Sequence, residues 1–514
     1  MLRVAIYIHI FLIALVVEAQ MDIQATTGGH LVNSAQFILP ISNEIQDVHV
    51  IYATKNGIVL WVNNFNKFGD AQSAGSLIHL DTALTVYRET PFFVPLEYTL
   101  LGWDHSLDQI QLLFSRKQYE KDLFSVFKIN LNTGSSEEQK ISTVFPIEVT
   151  HFEALNDFIL VGGTTNHKPV VVTFNKSNNP QVVPGIYGNE NEIVNISIDD
   201  LSGIFSVIMA EKNRTKNLGL TIYSYSRENQ QLFKNKGVAT RGRNLLNGTV
   251  IAPLENSRYL AGSFSSNGTR LSKGLFISKF TGDQRSFLKY YDFAYFEHFF
   301  EFMGLAQEQK LKDRIKRKTE EGKKINLNYR VIINEMIHNK GQLILSGEVY
   351  YPQNTDIQTF IPSSNLDHIQ YSNSGFNYTH SFVVTFDEEG NMLWDHSFPM
   401  QDMFFMSLGK KRATFHSVFD RLEVYTLNKN KIRARIFKGQ EIVEHDLEIL
   451  VSLGVDSDKW MWKNPEIESV VSWYDQFILA LGRQKILSSS NMNSSLKEIF
   501  YLNKIHYVGK EDIK

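Results

Sequence analysis

Among its 514 residues the sequence contains no cysteine. That absence excludes disulfide frameworks, thiolate zinc sites, cysteine nucleophiles and iron–sulfur clusters together. A surplus of one charge is also lacking, since Lys and Arg total 52 against 55 for Asp and Glu. A chain so close to balance has little to displace counterions from a nucleic acid, so that class is set aside. Beyond the N-terminus no window reaches the roughly 18 uninterrupted apolar residues of a membrane helix. The GxSxG elbow, HExxH, the phosphate-binding glycine loop and the dinucleotide fingerprint are all missing. What is present is a folding composition, 43% hydrophobic and 12% aromatic. At roughly 100–200 residues per domain the length allows two to four domains, or one long repeat array.

Residues 1–20 read MLRVAIYIHIFLIALVVEAQ. Arg3 precedes an apolar stretch over 4–17, and Val17, Glu18 and Ala19 fit a small-residue cleavage site before Gln20. The pattern is that of a secretory signal over 1–19, with an apolar core short for a membrane span. A buried first strand or an uncleaved anchor is the alternative. Export without cysteine points to a bacterial envelope and leaves no acceptor for lipid attachment. Asn-x-Ser/Thr triplets, for example at Asn195, Asn247 and Asn377, arise by chance in an Asn-rich chain and carry no weight.

The organisation is repetitive. An acid or turn residue opens a short apolar or β-branched run that often ends in Gly, and a second strand follows after a loop. The clearest copies pair 157–163 (DFILVGG) with 170–175, 258–264 (RYLAGSF) with 274–280, and 342–347 (QLILSG) with 381–387. Weaker copies pair 57–62 with 76–81, 109–115 with 123–130, 204–210 with 218–225, 421–426 with 431–437, and 476–482 with 497–504. A period near 50 residues with several short strands each indicates propeller blades. Blades bury both faces, so their runs are apolar throughout instead of alternating. The expectation is an all-β propeller of about eight four-stranded blades over 20–514, or seven if the copies near 60 and 423 fail. Residues 34–38 (SAQFI) would supply the strand missing from the last blade and close the ring. Two unrelated β-sandwich domains are the competing architecture.

Two insertions lengthen the repeat. In the first, at about 290–326, Phe293, Phe296, Phe299, Phe300, Met303 and Leu311 recur at helical spacing, and 307–324 is charged with a basic excess that includes Arg314 and Arg317. Gly322 is a plausible stop signal. The segment predicts either a helix packed on the propeller with a solvated charged face, or a helical arm that docks a protein or an anionic membrane surface. The arm reading makes Phe293, Phe296, Phe299, Phe300 and Met303 the anchors, with Arg314 and Arg317 steering. The second insertion, 352–379, holds Pro352, Pro362 and many Asn and Ser residues, and reads as a long irregular loop.

Candidate chemistry is thin. Ser125 with Lys128, and Ser494 with Lys497, satisfy Ser-x-x-Lys, but both fall on strands where such a nucleophile normally opens a helix. His368, His380 and His396 flank one repeat without a recognised ligand spacing, so no metal site is expected from them. The run 387–394 (DEEGNMLW) offers oxygens for calcium at the wrong spacing, and reads as a tight hairpin within a blade.

That hairpin carries a resemblance. TFDEEGNMLW is similar to the strand-turn-strand of quinoprotein-type propeller repeats, and FILVGG and YLAGSF resemble strands of related bacterial propellers. Quinoprotein enzymes would add acidic cofactor ligands and, in many members, adjacent cysteines; the Trp copy here occurs once and cysteine is absent. No cofactor is therefore implied, and the resemblance points to the non-enzymatic scaffolds of that group, such as the propeller of the outer-membrane β-barrel assembly machinery. The Ala-Gln junction and Asn/Lys/Phe/Tyr-rich strands also resemble exported Bacteroidota proteins. Size, address and fold are together similar to the plug component of the type 9 secretion translocon. The expected function is a non-enzymatic periplasmic propeller that binds a protein partner, plausibly an outer-membrane transport or assembly complex. The alternative is a secreted glycan hydrolase or lyase, which would need paired carboxylates with shifted pKa values at a channel mouth. A small-ligand sensor has no positive support.

Overall fold

The structure, a computed structural model, describes residues 29–509 except 42–44, 65–71, 96, 107, 118–119, 177, 189–190, 200–201, 213–216, 255–256, 267–268, 326, 354–374, 406–411, 429–430, 452–465 and 491–492. The expected signal segment 1–19, His368 and most of the loop expected at 352–379 lie outside these residues. The two ends of that expected loop are strand, in Gln342–Gln353 and Gly375–Asp387.

The strands assemble into eight four-stranded antiparallel sheets, and the fold is a β-propeller of eight blades. The poor copies near 60 and 423 are blades like the others, lying in Gly57–Asn64 and Arg421–Asn428. The chain divides into two compact units, Glu97–Ala413 and the pair Met1–Leu96 with Thr414–Lys514.

The larger unit contains five blades, spanning 99–142, 148–182, 192–237, 243–292 and 330–405. The second and third strands of a blade are buried on both faces. In Phe158–Thr165 and Lys168–Phe174 all but two of the residues are buried, the condition that selects a continuous apolar run over an alternating one. The two are joined by Asn166 and His167, both at positive φ (49° and 61°), as a tight two-residue hairpin turn requires. The Gly of each motif has a steric reason. A Cβ on Gly163 would strike the carbonyl oxygen of Glu148, and one on Gly262 that of Asn247. The cores lie between consecutive blades: Leu113 and Val126 meet Val161 and Val172, and Leu160 and Val171 meet Val207 and Tyr223.

The smaller unit holds the blades at 45–95 and 413–450 and a third blade built from both ends of the chain. In this third blade, His30–Ile41 pairs antiparallel with Asn493–Val508, from His30 opposite Val508 to Ile41 opposite Glu498, with a one-residue register shift between Asn33 and Ala35. The strand expected at 34–38 is therefore present and longer.

The insertion after the blade at 243–292 differs from its expected form. Its aromatic half is not α-helical. It makes two single 3₁₀ turns, Phe293–Tyr295 and Glu301–Met303, and the α-helix α1 is the charged stretch Leu305–Glu320. The backbone N–H groups of Glu297 and His298 donate to the carboxylate of Asp395, which removes them from any helical ladder. Gly304, at φ 82°, separates the two halves. Helix α1 stops at Gly322 as expected: at φ 62° its N–H donates to Thr319, and the N–H of Lys323 donates to Lys318, the paired bonds of a Schellman ending.

Candidate functional site

The insertion and the blade it crosses, 330–405, bring together most of the residues singled out in the sequence. Phe293, Phe299 and Phe300 have no accessible surface and Phe296 has 4%. The Phe293 and Phe299 rings stack at 4.3 Å. All four share one core with Tyr259 and Leu275 on one side and Leu345 and Phe382 on the other, and Met303 packs partly buried against it. Buried rings offer no area to a partner, so the burial corrects the anchor reading: these four rings fasten the insertion to two blades. The periodicity that suggested a helix reports a packed irregular segment instead.

The backbone of this segment is fixed by the outermost strand of the blade, Met392–Phe405. Asp395 accepts from the N–H groups of Glu297 and His298 at 2.9 Å each, and Ser397 Oγ donates to the carbonyl of His298 at 3.1 Å. Burial pushes the Asp395 carboxyl above its ordinary range, with the two N–H bonds opposing it. Between those two residues in sequence stands His396, whose ring stacks on His298 with centroids 4.6 Å apart and planes 24° from parallel. One oxygen of Glu301 lies 2.9 Å from His298 Nδ1, and the other 3.5 Å from His396 Nδ1. A ligand atom of each of His298, Glu301 and His396 falls within 4.8 Å of the others. Sequence reasoning considered His396 with His368 and His380 and missed this grouping. Only the His298-x-x-Glu301 spacing was visible, and its third member lies 98 residues past His298 in the chain. His380 belongs to the core: it is fully buried and stacks on Phe302.

Helix α1 packs through Ile315, which is buried, and Leu311, which is partly so. It carries six basic residues (310, 312, 314, 316, 317, 318) and three acidic ones (308, 313, 320). Glu308 pairs with Lys312 at 2.6 Å. Lys310, Arg314, Lys316 and Arg317 are exposed and form no ion pair with a described residue. Lys310, Arg314 and Arg317 follow the i, i+4, i+7 spacing of one helix face.

Elsewhere the catalytic candidates separate. Ser125 Oγ donates to Glu138, and Lys128 Nζ to Asp157, so this Ser–Lys pair does not meet; Ser494 and Lys497 lie outside the described side chains. In the turn at 387–391, both carboxylate oxygens of Asp387 are engaged by Asn391 and Gly390 stands at φ 74°, as a tight hairpin demands. A polar cleft is lined by Asn156, Asp157, Asn175, Lys176, Arg227 and Glu228. Lys128 and Lys176 hold Asp157 below the usual carboxylate range, and Ser226 does the same for Glu228. Neither carboxyl is tuned as a general acid, which needs a raised pKa. Among the described residues the carboxyls pushed upward are Asp395 and Glu348, and Glu348 Oε1 is committed to the N–H groups of Arg412 and Ala413.

No family model matches the sequence, and no curated protein matches it. Among solved structures the chain is similar to a prolyl endopeptidase, at 8% identity and a TM-score of 0.39, covering 87% of this chain and 55% of that one. It is also similar to the polysaccharide lyase Uly1, at 7% identity and a TM-score of 0.35, covering 79% of this chain and 89% of that one. A third is the β-propeller domain of the Trilobed protease from Pyrococcus furiosus, at 9% identity and a TM-score of 0.33, covering 80% and 98%. The chain spans about half the length of the peptidases it matches. At these identities and scores the likenesses carry no argument about activity.

Proposed function

We propose that this chain is an exported propeller without chemistry of its own, which acts by binding a protein partner through an acidic surface on that partner. The observation that carries the reading is the face of α1. Lys310, Arg314 and Arg317 are exposed without ion pairs to described residues, on a helix whose buried side is held by Ile315 and the aromatic core. A helix kept only for packing gains from pairing its charges at i, i+4; here Glu308–Lys312 is the i, i+4 ion pair found and the basic excess faces outward. Such a face steers an acidic partner and sets register, while the buried rings keep the helix in place. The sequence resemblance to scaffold propellers of the bacterial envelope supports an outer-membrane transport or assembly complex as the partner, the type 9 translocon among them.

Mild cross-linking in intact envelopes, followed by purification of the native chain and of a Lys310→Glu, Arg314→Glu, Arg317→Glu variant, tests this. A single acidic partner recovered with the native chain, weakened by salt and lost with the variant, is the expected result. Recovery of the chain alone, identical partners for both forms, or association only with anionic vesicles would each overturn it.

A further inference from the structure

We infer that His298, Glu301 and His396 form a binding site for one divalent transition-metal ion, which fastens the insertion to the outer strand of its blade. Two imidazoles and one carboxylate are the donor set that suits Zn²⁺, Co²⁺ or Fe²⁺ and does not suit Mg²⁺ or Ca²⁺, which require oxygens throughout. The three donors already converge within 4.8 Å, with one Glu301 oxygen turned to each imidazole Nδ1.

The scaffold under them is built for constancy. Asp395 and Ser397 flank His396 and clamp the N–H and the carbonyl of His298 respectively. The backbone positions of the two histidines are thereby tied to each other, though they come from segments far apart in sequence. Backbone ties of this kind orient ligands as outer-shell partners do at metal centres. The remaining adjustment belongs to side chains. Ligand atoms about 2.0–2.2 Å from a shared ion stand roughly 3–3.5 Å apart, so the outermost distance must close by about 1 Å. His298 and Glu301 have the freedom to do this, at 35% and 27% side-chain exposure, while His396 at 7% is the fixed member. The half-open location leaves further coordination positions to water. Closure also requires the two stacked rings to fan apart, because parallel rings 4.6 Å apart do not aim both Nδ1 lone pairs at one point.

The site is independent of the partner-binding proposal and is tested on the untagged full chain. Titration calorimetry with Zn²⁺ is expected to give one equivalent bound, with Mg²⁺ giving none. Co²⁺ is expected to produce visible d–d absorption, and the ring resonances of His298 and His396 to shift together as the stack opens. Glu301→Gln and His298→Asn, both at partly exposed positions, are each expected to weaken Zn²⁺ at least tenfold. Absence of Zn²⁺ heat and of the Co²⁺ band in the native chain would overturn the proposal, because the carboxylate would then only bridge two imidazoles by hydrogen bonds. So would unchanged affinity in both variants, which would place the ion at other histidines.

Discussion

The imidazole of His380 lies flat on the ring of Phe302, with centroids 3.7 Å apart and planes 8° from parallel. Phe299 meets the same imidazole edge to face at 4.9 Å, and no part of His380 reaches solvent. Burial pushes its pKa down from 6.5 to about 3. In the folded chain the ring therefore stays neutral where the unfolded chain takes up a proton. Stability from this site is full above pH 6.5 and is lost as pH falls from there toward about 3, at about 1.4 kcal/mol per pH unit. Urea denaturation at pH 7 and pH 5 is expected to show a loss of stability that is smaller in His380→Phe than in the native chain, the difference being at most that slope. Equal slopes would mean that the ring titrates in the fold.

Phe299→Ala separates packing from docking. The ring is fully buried between two blades and the insertion, and removing such a ring costs about 3–5 kcal/mol through lost burial and the cavity left behind. Leu305→Ser, at a position 87% exposed on the same insertion, is expected to stay within about 0.5 kcal/mol. Denaturant midpoints of the two variants measure the contrast; a small effect at Phe299 would show that the aromatic core is not what holds the insertion.

The propeller was legible because its physics is local. Runs such as 158–163 and 259–264 are apolar on both faces because blades cover both, and the glycines mark where a Cβ would meet a neighbouring carbonyl. The closing strand could also be read, since the last blade lacked a strand and 34–38 offered one. The aromatic half of the insertion could not be read correctly. Phe293, Phe296, Phe299 and Phe300 have helical spacing, but what decides their backbone is Asp395, about a hundred residues away. The His298–Glu301–His396 grouping was hidden for the same reason: two members are near in sequence and the third arrives only through the sheet.

Asp395 is the residue on which both the segment's shape and the metal proposal depend. Its two carboxylate oxygens each accept one backbone N–H in a buried setting. Asp395→Asn keeps the volume but leaves one oxygen, turning an amide N–H₂ toward a backbone donor. An unsatisfied buried donor costs about 1–3 kcal/mol. The expected outcome is a loss of that size in denaturant stability, together with a Zn²⁺ affinity at least tenfold weaker as His298 loses its backbone tether. Stability loss with unchanged Zn²⁺ binding would separate the two roles and confine Asp395 to the fold.

The strand His30–Ile41 should behave as a structural closure. Phe37 and Leu39 are buried in a core with Leu60, Leu479 and Leu502, and the Gln36 side chain donates to Asn503 at 2.7 Å. Removing the strand would strip Asn493–Val508 of one partner and leave a long apolar edge, since Phe500, Leu502 and Ile505 are buried. Exposed edges of that kind recruit other chains. Deletion of residues through 41 is therefore expected to give concentration-dependent association by light scattering. Phe37→Ala with Leu39→Ala, which keeps the backbone pairing, is expected to cost stability by about 5–10 kcal/mol in sum without that association. Should the deletion remain monomeric with an unaltered denaturation midpoint, the pairing with Asn493–Val508 would not be what closes this blade.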